Sequence, residues 1–230
     1  MYWIGGHLSK LEEKAKDICR LLIDNYGDTV VERKLEPVDE LVLTILSQNT
    51  NDVNMFRAYE QLKAHYPTWD AVLQAPVDEL GEVIKPSGFF RVKARRIQAT
   101  LLEIQDRVGE LDLSHLEAMS LDDATEWLVS LHGVGPKTAA IVLLFCFGKA
   151  TLPVDTHVWR LSKRLGLVPE TTTREGAQTL LEDILPSNCV YSMNHNLIKH
   201  GREICTARNP KCMECFLQDI CDFFQQAVSS

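Results

Sequence analysis

Leu131-His132-Gly133-Val134-Gly135-Pro136-Lys137-Thr138-Ala139 decides how this chain is read. A helix expected over Leu121–Leu131 leads in. Ser120 is its N-cap, and Asp122 and Asp123 sit in its first turn, where carboxylates suit the positive helix end. Two glycines one residue apart then permit a tight turn with positive φ. Pro136 fits the first position of the next helix, where its missing N–H costs nothing. The product is a helix–hairpin–helix. Its Gly133-Val134-Gly135 turn aims backbone N–H groups and a helix N-terminus at an anion. Contacts of that kind hold a protein on a phosphate backbone without reading sequence. A plain helical corner also tolerates Gly-x-Gly, so the next residues matter. Lys137 stands in the first helical turn, against the macrodipole. That placement is locally unfavourable and points to a use other than stability, such as a nucleophilic amine.

Asp155 follows Lys137 by eighteen residues, in Leu152-Pro153-Val154-Asp155-Thr156-His157-Val158-Trp159-Arg160. It precedes an amphipathic helix with Val158, Leu161 and Leu165 on its apolar side. Its plain role is an N-cap. A capping carboxylate is also rigidly held, so a catalytic role is compatible with the cap.

Near the end of the chain stand Cys205, Cys212, Cys215 and Cys221, spaced C-x6-C-x2-C-x5-C. The chain opens MYWIGGHLSK without the pattern of a signal peptide. Its longest apolar run, Ala139 to Phe147, is about half of the roughly 20 residues that span a bilayer. A reducing cytoplasm is the expected compartment, where four close thiols form a metal site more readily than two disulfides. Spacing alone leaves a structural zinc and an iron–sulfur cluster level. Cys19 and Cys146 read as small buried hydrophobes. Cys189 has no evident role.

Composition is that of a globular chain with enough apolar residues for a core. The net charge of −8 is unlike the basic balance usual for nucleic-acid partners. The basic residues are nevertheless grouped. Lys85, Arg91, Lys93, Arg95, Arg96 and Arg107 form one run, Arg160, Lys163 and Arg164 a second, and Lys199, Arg202, Arg208 and Lys211 a third. Taken together they fit a phosphate-contacting face on an acidic body.

The rest reads as helix. Apolar spacing of three and four residues supports helices from Leu11 to near Gly27, over Pro37–Leu46, Val53–His65, Trp69–Leu73, Val77–Ile84, Lys93–Gly109 and Lys137–Phe147. Beyond the hairpin it supports Thr156–Leu165, Thr173–Leu185, Tyr191–Ile204 and a short piece at Phe216–Cys221. Thr29-Val30-Val31 is the one candidate strand.

These segments together resemble the endonuclease III family, within the helix–hairpin–helix DNA glycosylase superfamily. The resemblance is carried by Leu131–Ala139, by Val154-Asp155-Thr156-His157, and by His200–Cys221, and it runs from about Leu11 to Phe223. It implies an all-α fold of two domains with a DNA cleft between them. A six-helix barrel is expected over residues 39–149, and a discontinuous iron–sulfur domain over residues 1–38 and 150–230. It implies that Lys137 is the nucleophile, that Asp155 is the catalytic aspartate, and that the four cysteines hold a [4Fe–4S] cluster. The implied activity is a bifunctional DNA glycosylase and AP lyase of base excision repair. It would act on double-stranded DNA with damaged bases, oxidised pyrimidines foremost, or with abasic sites. The protein is expected to be monomeric, cytoplasmic (nucleoid-associated in a prokaryote) and without a membrane partner. Arg202, Arg208 and Lys211 would present charge to phosphates.

One segment departs from the family pattern. Leu46-Ser47-Gln48-Asn49-Thr50-Asn51-Asp52 stands where the family commonly has Leu-Ser-Ala-Gln-Ala-Thr-Asp. Asn49 therefore replaces the glutamine that fills the space left by a flipped base, and Gln48 is the alternative. Either amide can hydrogen-bond an orphaned base. Phe89 aligns with an apolar wedge inserted into the base stack, and a core phenylalanine is the competing reading. The adenine-mismatch branch would put a carboxylate near Thr44 and lack the lysine, so it does not fit. A mismatch uracil or thymine glycosylase of the same fold, and a non-catalytic iron–sulfur DNA-binding module, remain as alternatives. The residues before Ser9 look like an extension, and Trp3 has no evident purpose.

Overall fold

The computed structural model describes residues 3–29 and 35–228, with side chains from residue 10 onward. The side chain of Trp3 and the Val30-Val31 part of the candidate strand lie outside the described residues. Among the described residues every regular element is helical. The chain divides into two compact units, Arg33–Lys149 and Met1–Glu32 with Ala150–Ser230. Helix α1, Trp3–Tyr26, belongs to the second unit and begins well before the expected Leu11.

The unit Arg33–Lys149 holds α2 (Pro37–Ser47), α3 (Asp52–His65), α4 (Trp69–Gln74), α5 (Val77–Val83), α6 (Phe90–Val108), α7 (Leu121–Val129) and α8 (Pro136–Phe147). Starts and stops follow local chemistry. Asn51, Thr68 and Ser120 cap α3, α4 and α7 through side-chain oxygens. Pro37 and Pro136 occupy the first turns of α2 and α8. Gly109 and Gly148 end α6 and α8 in the left-handed conformation. Helices α2 and α8 are buried on most sides and pack against each other. Leu41, Ile45 and Leu46 of α2 meet a core shared with Ile97, Leu101 and Ile104 of α6 and with Val142 and Leu143 of α8. Cys146 belongs to this core. Asp39 binds the α2, α3 and α4 segments together, accepting from Tyr59 and from Trp69 Nε1 (3.1 Å) and pairing with Lys63 (3.0 Å).

The other unit adds α9 (Thr156–Arg164), α10 (Arg174–Ile184), α11 (Val190–Glu203) and α12 (Asp222–Val228). The short helix expected at Phe216–Cys221 is instead a 3-10 turn over Gln218–Ile220, and α12 was not foreseen. Between Cys205 and Cys221 the chain is mostly loop, and its four cysteines line one cavity. Helix α1 packs on α11, and Cys19 of α1 is buried. The segment after Ala150 is anchored by Glu182 Oε1, which accepts from Thr151 Oγ1 (2.6 Å) and from the Leu152 amide (2.7 Å). Asn194 Nδ2 donates to the Pro153 carbonyl (2.7 Å). No helix of the described residues is long and apolar enough to cross a membrane.

Candidate nucleic-acid interface

The hairpin between α7 and α8 forms as its sequence demands, with one difference. Gly133 has φ +79°, but Gly135 is extended, with φ −100° and ψ 173°, and serves as the N-cap of α8. A Cβ on Gly133 would run into the Arg96 side chain, whereas a Cβ on Gly135 would meet nothing within 4 Å. Glycine at 133 is thus required by the fold, and glycine at 135 leaves an open approach to the backbone. Val134 is buried, and its amide donates to the Leu131 carbonyl (3.2 Å). Among the described residues, the amides of Gly133, Gly135 and Lys137 have no hydrogen-bond acceptor. They are the unsatisfied donors of a turn and a helix start, the arrangement that binds anions. Lys137 is exposed in the first turn of α8 and, among the described residues, forms no hydrogen bond or ion pair.

Asp155 caps α9. Its Oδ1 accepts from the amides of His157 and Val158, both at 2.8 Å. Among the described residues its Oδ2 has no partner. The carboxylate is half-buried and held by two charge-assisted bonds, so one oxygen is fixed while the other is open.

Cys205, Cys212, Cys215 and Cys221 line one cavity, together with Ile204, Pro210, Phe223 and Phe224. Burial, followed by the charges of Cys205, Cys221 and Cys212, raises the Cys215 thiol to about 11, against a Leu217 amide that lowers it. As ligands the four sulfurs would be thiolates, whose shared negative charge an iron–sulfur group would compensate. The donor set suits a group with one thiolate at each corner. Arg164 Nη1 donates to Cys205 Sγ (3.2 Å), and His200 Nε2 lies 3.3 Å from Cys215 Sγ.

Residues 42–187 match the HhH-GPD superfamily of base excision DNA repair proteins, and residues 205–221 match the iron–sulfur binding domain of endonuclease III. Endonuclease III of Thermotoga maritima is 36% identical over 216 residues, covering 94% of each chain. The chain belongs to the endonuclease III family. It is a base excision repair glycosylase of the HhH-GPD superfamily, and its four cysteines form that family's iron–sulfur domain. A trapped endonuclease III–DNA covalent intermediate, an estranged-adenine complex, superposes with a TM-score of 0.81 at 26% identity, covering 94% of this chain and 98% of that one. A non-covalent endonuclease III–DNA complex gives the same TM-score at 27% identity, covering 95% and 99%.

Gln48, Asn49 and Phe89 lie in two loops of the unit Arg33–Lys149. Gln48 ends α2, and its Oε1 accepts from Arg96 Nη1. Asn49 beside it is exposed, with φ +53°. Phe89 is 67% exposed and adopts φ +46°, so the core reading of this phenylalanine fails. Helix α6 starts at Phe90, three residues before the expected start, and the Phe89 carbonyl accepts from the Val92 and Lys93 amides, both at 3.0 Å.

The basic runs are not uniform faces. Lys93 is buried at 3% exposure, and Arg96 turns toward Gln48 and the hairpin. Arg160 donates to the carbonyls of Gly201 (2.9 Å) and Cys205 (3.0 Å). Arg164 binds the Thr206 carbonyl (2.8 Å) as well as the Cys205 sulfur. Both therefore brace the cysteine loop instead of facing solvent phosphates. Lys163 lies 3.8 Å over the Trp159 ring. Arg202, Arg208 and Lys211 are exposed, as are Arg91 and Arg95. Sequence reasoning missed the inward roles of Lys93 and Arg96. A signal existed, since Lys93, Ile97, Thr100 and Ile104 share the buried stripe of α6 at helical spacing.

Proposed function

We propose that this protein is a bifunctional glycosylase and AP lyase that removes oxidised pyrimidines from double-stranded DNA. The observation that carries the reading is Lys137, an exposed lysine without a protein partner among the described residues, in the first turn of α8. A cation there opposes the helix dipole and does nothing for stability.

The target nucleotide is extruded from the stack. The amine of Lys137 attacks the sugar anomeric carbon as the base departs with a proton. One nitrogen proton leaves with the base and the other goes to the ring oxygen as the sugar ring opens to a Schiff base. The Asp155 carboxylate offsets positive charge that develops on the sugar. The Schiff base acidifies the adjacent sugar carbon, and loss of that proton expels the 3′ phosphate by β-elimination. The open amides of Gly133 and Gly135 hold a backbone phosphate without reading sequence. Phe89 is the wedge, and Gln48 or Asn49 fills the vacated space. Arg202, Arg208 and Lys211 add phosphate contacts. Cys205, Cys212, Cys215 and Cys221 hold a [4Fe–4S] cluster that, when bound, cross-links the loop presenting those cations.

Borohydride trapping tests the reading on duplexes with thymine glycol or an abasic site, comparing wild type with Lys137→Gln. A covalent adduct on both duplexes, lost in the variant, is expected. An adduct on the abasic duplex alone keeps the lyase and moves the base search to uracil and thymine mismatches. Absence of adduct on both duplexes overturns the lysine chemistry.

A further inference from the structure

Three loops of the unit Arg33–Lys149 are assigned to DNA above, and one helix face touches them all. Lys93 of α6 donates from Nζ to the Leu46 carbonyl (2.7 Å) and to the Ser87 carbonyl (2.6 Å). Leu46 stands two residues before Gln48, and Ser87 two residues before Phe89. The Lys93 amide also donates to the Phe89 carbonyl (3.0 Å). One turn on, Arg96 binds Gln48 and lies against Gly133. One turn further, Thr100 Oγ1 donates to the His132 carbonyl (2.8 Å), and the His132 amide donates to Glu103 Oε2 (3.1 Å).

We infer that Lys93 is a positioning residue for lesion recognition, linking the loop that carries Gln48 and Asn49 to the loop that carries Phe89 so that both meet the duplex in one register. The inference rests on the DNA glycosylase reading above.

A buried charge is a poor source of stability, since an apolar side chain on the same stripe avoids its desolvation. What the ammonium adds is geometry. Leu46 and Ser87 are far apart in sequence, and a single nitrogen bonded to both carbonyls fixes their separation. The Leu46 carbonyl also lies in the last turn of α2, where a cation satisfies an otherwise open acceptor. Just beyond each tethered carbonyl the chain enters the left-handed region at a non-glycine residue, Asn49 and Phe89. Strained backbone persists only where its surroundings hold it, and it gathers at functional loops. Both strained residues are exposed, while the group that holds them is buried.

The test uses the full protein with Lys93→Met, which keeps length and removes every donor. Binding is measured to a duplex containing a tetrahydrofuran abasic analogue and to its undamaged counterpart, with 2-aminopurine beside the lesion to report unstacking. Wild type should prefer the abasic analogue. The variant should lose about tenfold of that preference and most of the 2-aminopurine signal. Its borohydride trapping on a single-stranded abasic oligonucleotide should stay within about twofold of wild type, a readout that general damage to the fold would move. A second arm places Lys93→Met on an Asn49→Ala, Phe89→Ala background. There it should cost less than it does alone, because the residues it positions are gone. Full additivity, or an unchanged preference and signal in the single variant, overturns the inference while leaving the glycosylase reading intact. A wild type without preference for the abasic analogue overturns that reading, and this inference with it.

Discussion

Replacing Asp155 by Asn and by Ala separates two roles that one carboxylate combines. Oδ1 accepts two amide bonds of 2.8 Å at the start of α9. Asp155→Ala removes both and leaves the first turn uncapped, a loss of about 1–2 kcal/mol. For a chain of this size that lowers the apparent Tm by roughly 2–8 °C. Asn is as good a cap as Asp, because its amide oxygen accepts the same bonds. Asp155→Asn therefore loses only the attraction between charge and helix dipole, about 0.3–1 kcal/mol. Catalysis should order the variants differently. An amide cannot offset positive charge on the sugar, and removing an electrostatic stabiliser of this kind costs about 10²–10³ in rate. Far-ultraviolet circular dichroism during heating gives the first quantity. Single-turnover cleavage of a thymine-glycol duplex gives the second. Asp155→Asn should be nearly as stable as wild type yet as slow as Asp155→Ala. A wild-type rate in Asp155→Asn would reduce the residue to a cap, and equal destabilisation by both substitutions would refute the capping argument.

Two further outcomes follow from the hairpin and from Lys93. Gly133→Ala forces a side chain into φ +79° and into the Arg96 stem, so urea unfolding should show a loss of at least about 1–2 kcal/mol. Gly135→Ala has φ −100° and open space, so stability should fall only by the poorer helix cap, about 1 kcal/mol or less, while anisotropy shows weaker duplex binding; wild-type binding would remove the phosphate role from this turn. Burial, with Arg96 as a lesser cause, lowers Lys93 to about 8 from the usual lysine value. A depressed value means that the unfolded chain holds the proton after the folded protein has released it. Stability from this group is therefore greatest above the unfolded value and is lost as pH falls through about 8. Between pH 8 and 9.5, wild type should gain roughly 2 kcal/mol over Lys93→Met in chemical unfolding, and a constant difference would contradict the shift.

Much of the architecture was legible because it rests on local rules. Ser120, Asp155 and Pro136 mark helix starts through chemistry that operates within a few residues, and α7, α8 and α9 begin where they indicate. The start of α6 was not legible. Phe89 takes a left-handed conformation that its side chain disfavours, in a turn whose Ser87 carbonyl is held by Lys93 Nζ, a tertiary contact. Helix α12 was missed because it lies past Cys221, in a segment too short for periodicity to register. The basic runs misled for a related reason. Charge in sequence does not reveal which way a side chain turns, and Lys93, Arg96, Arg160 and Arg164 turn toward protein acceptors.

The sequence alone therefore determined the helical class, the hairpin, the capping aspartate and the four-cysteine group, since each depends on residue type at fixed short spacing. Tertiary structure decided that Phe89 is exposed and strained, that Gly133 rather than Gly135 is sterically required, and that Lys93 joins two loops from inside the core. Those outcomes depend on which distant carbonyls and side chains meet in space. No spacing rule contains that information, because burial and hydrogen-bond partners are set by the packing of helices that lie far apart along the chain.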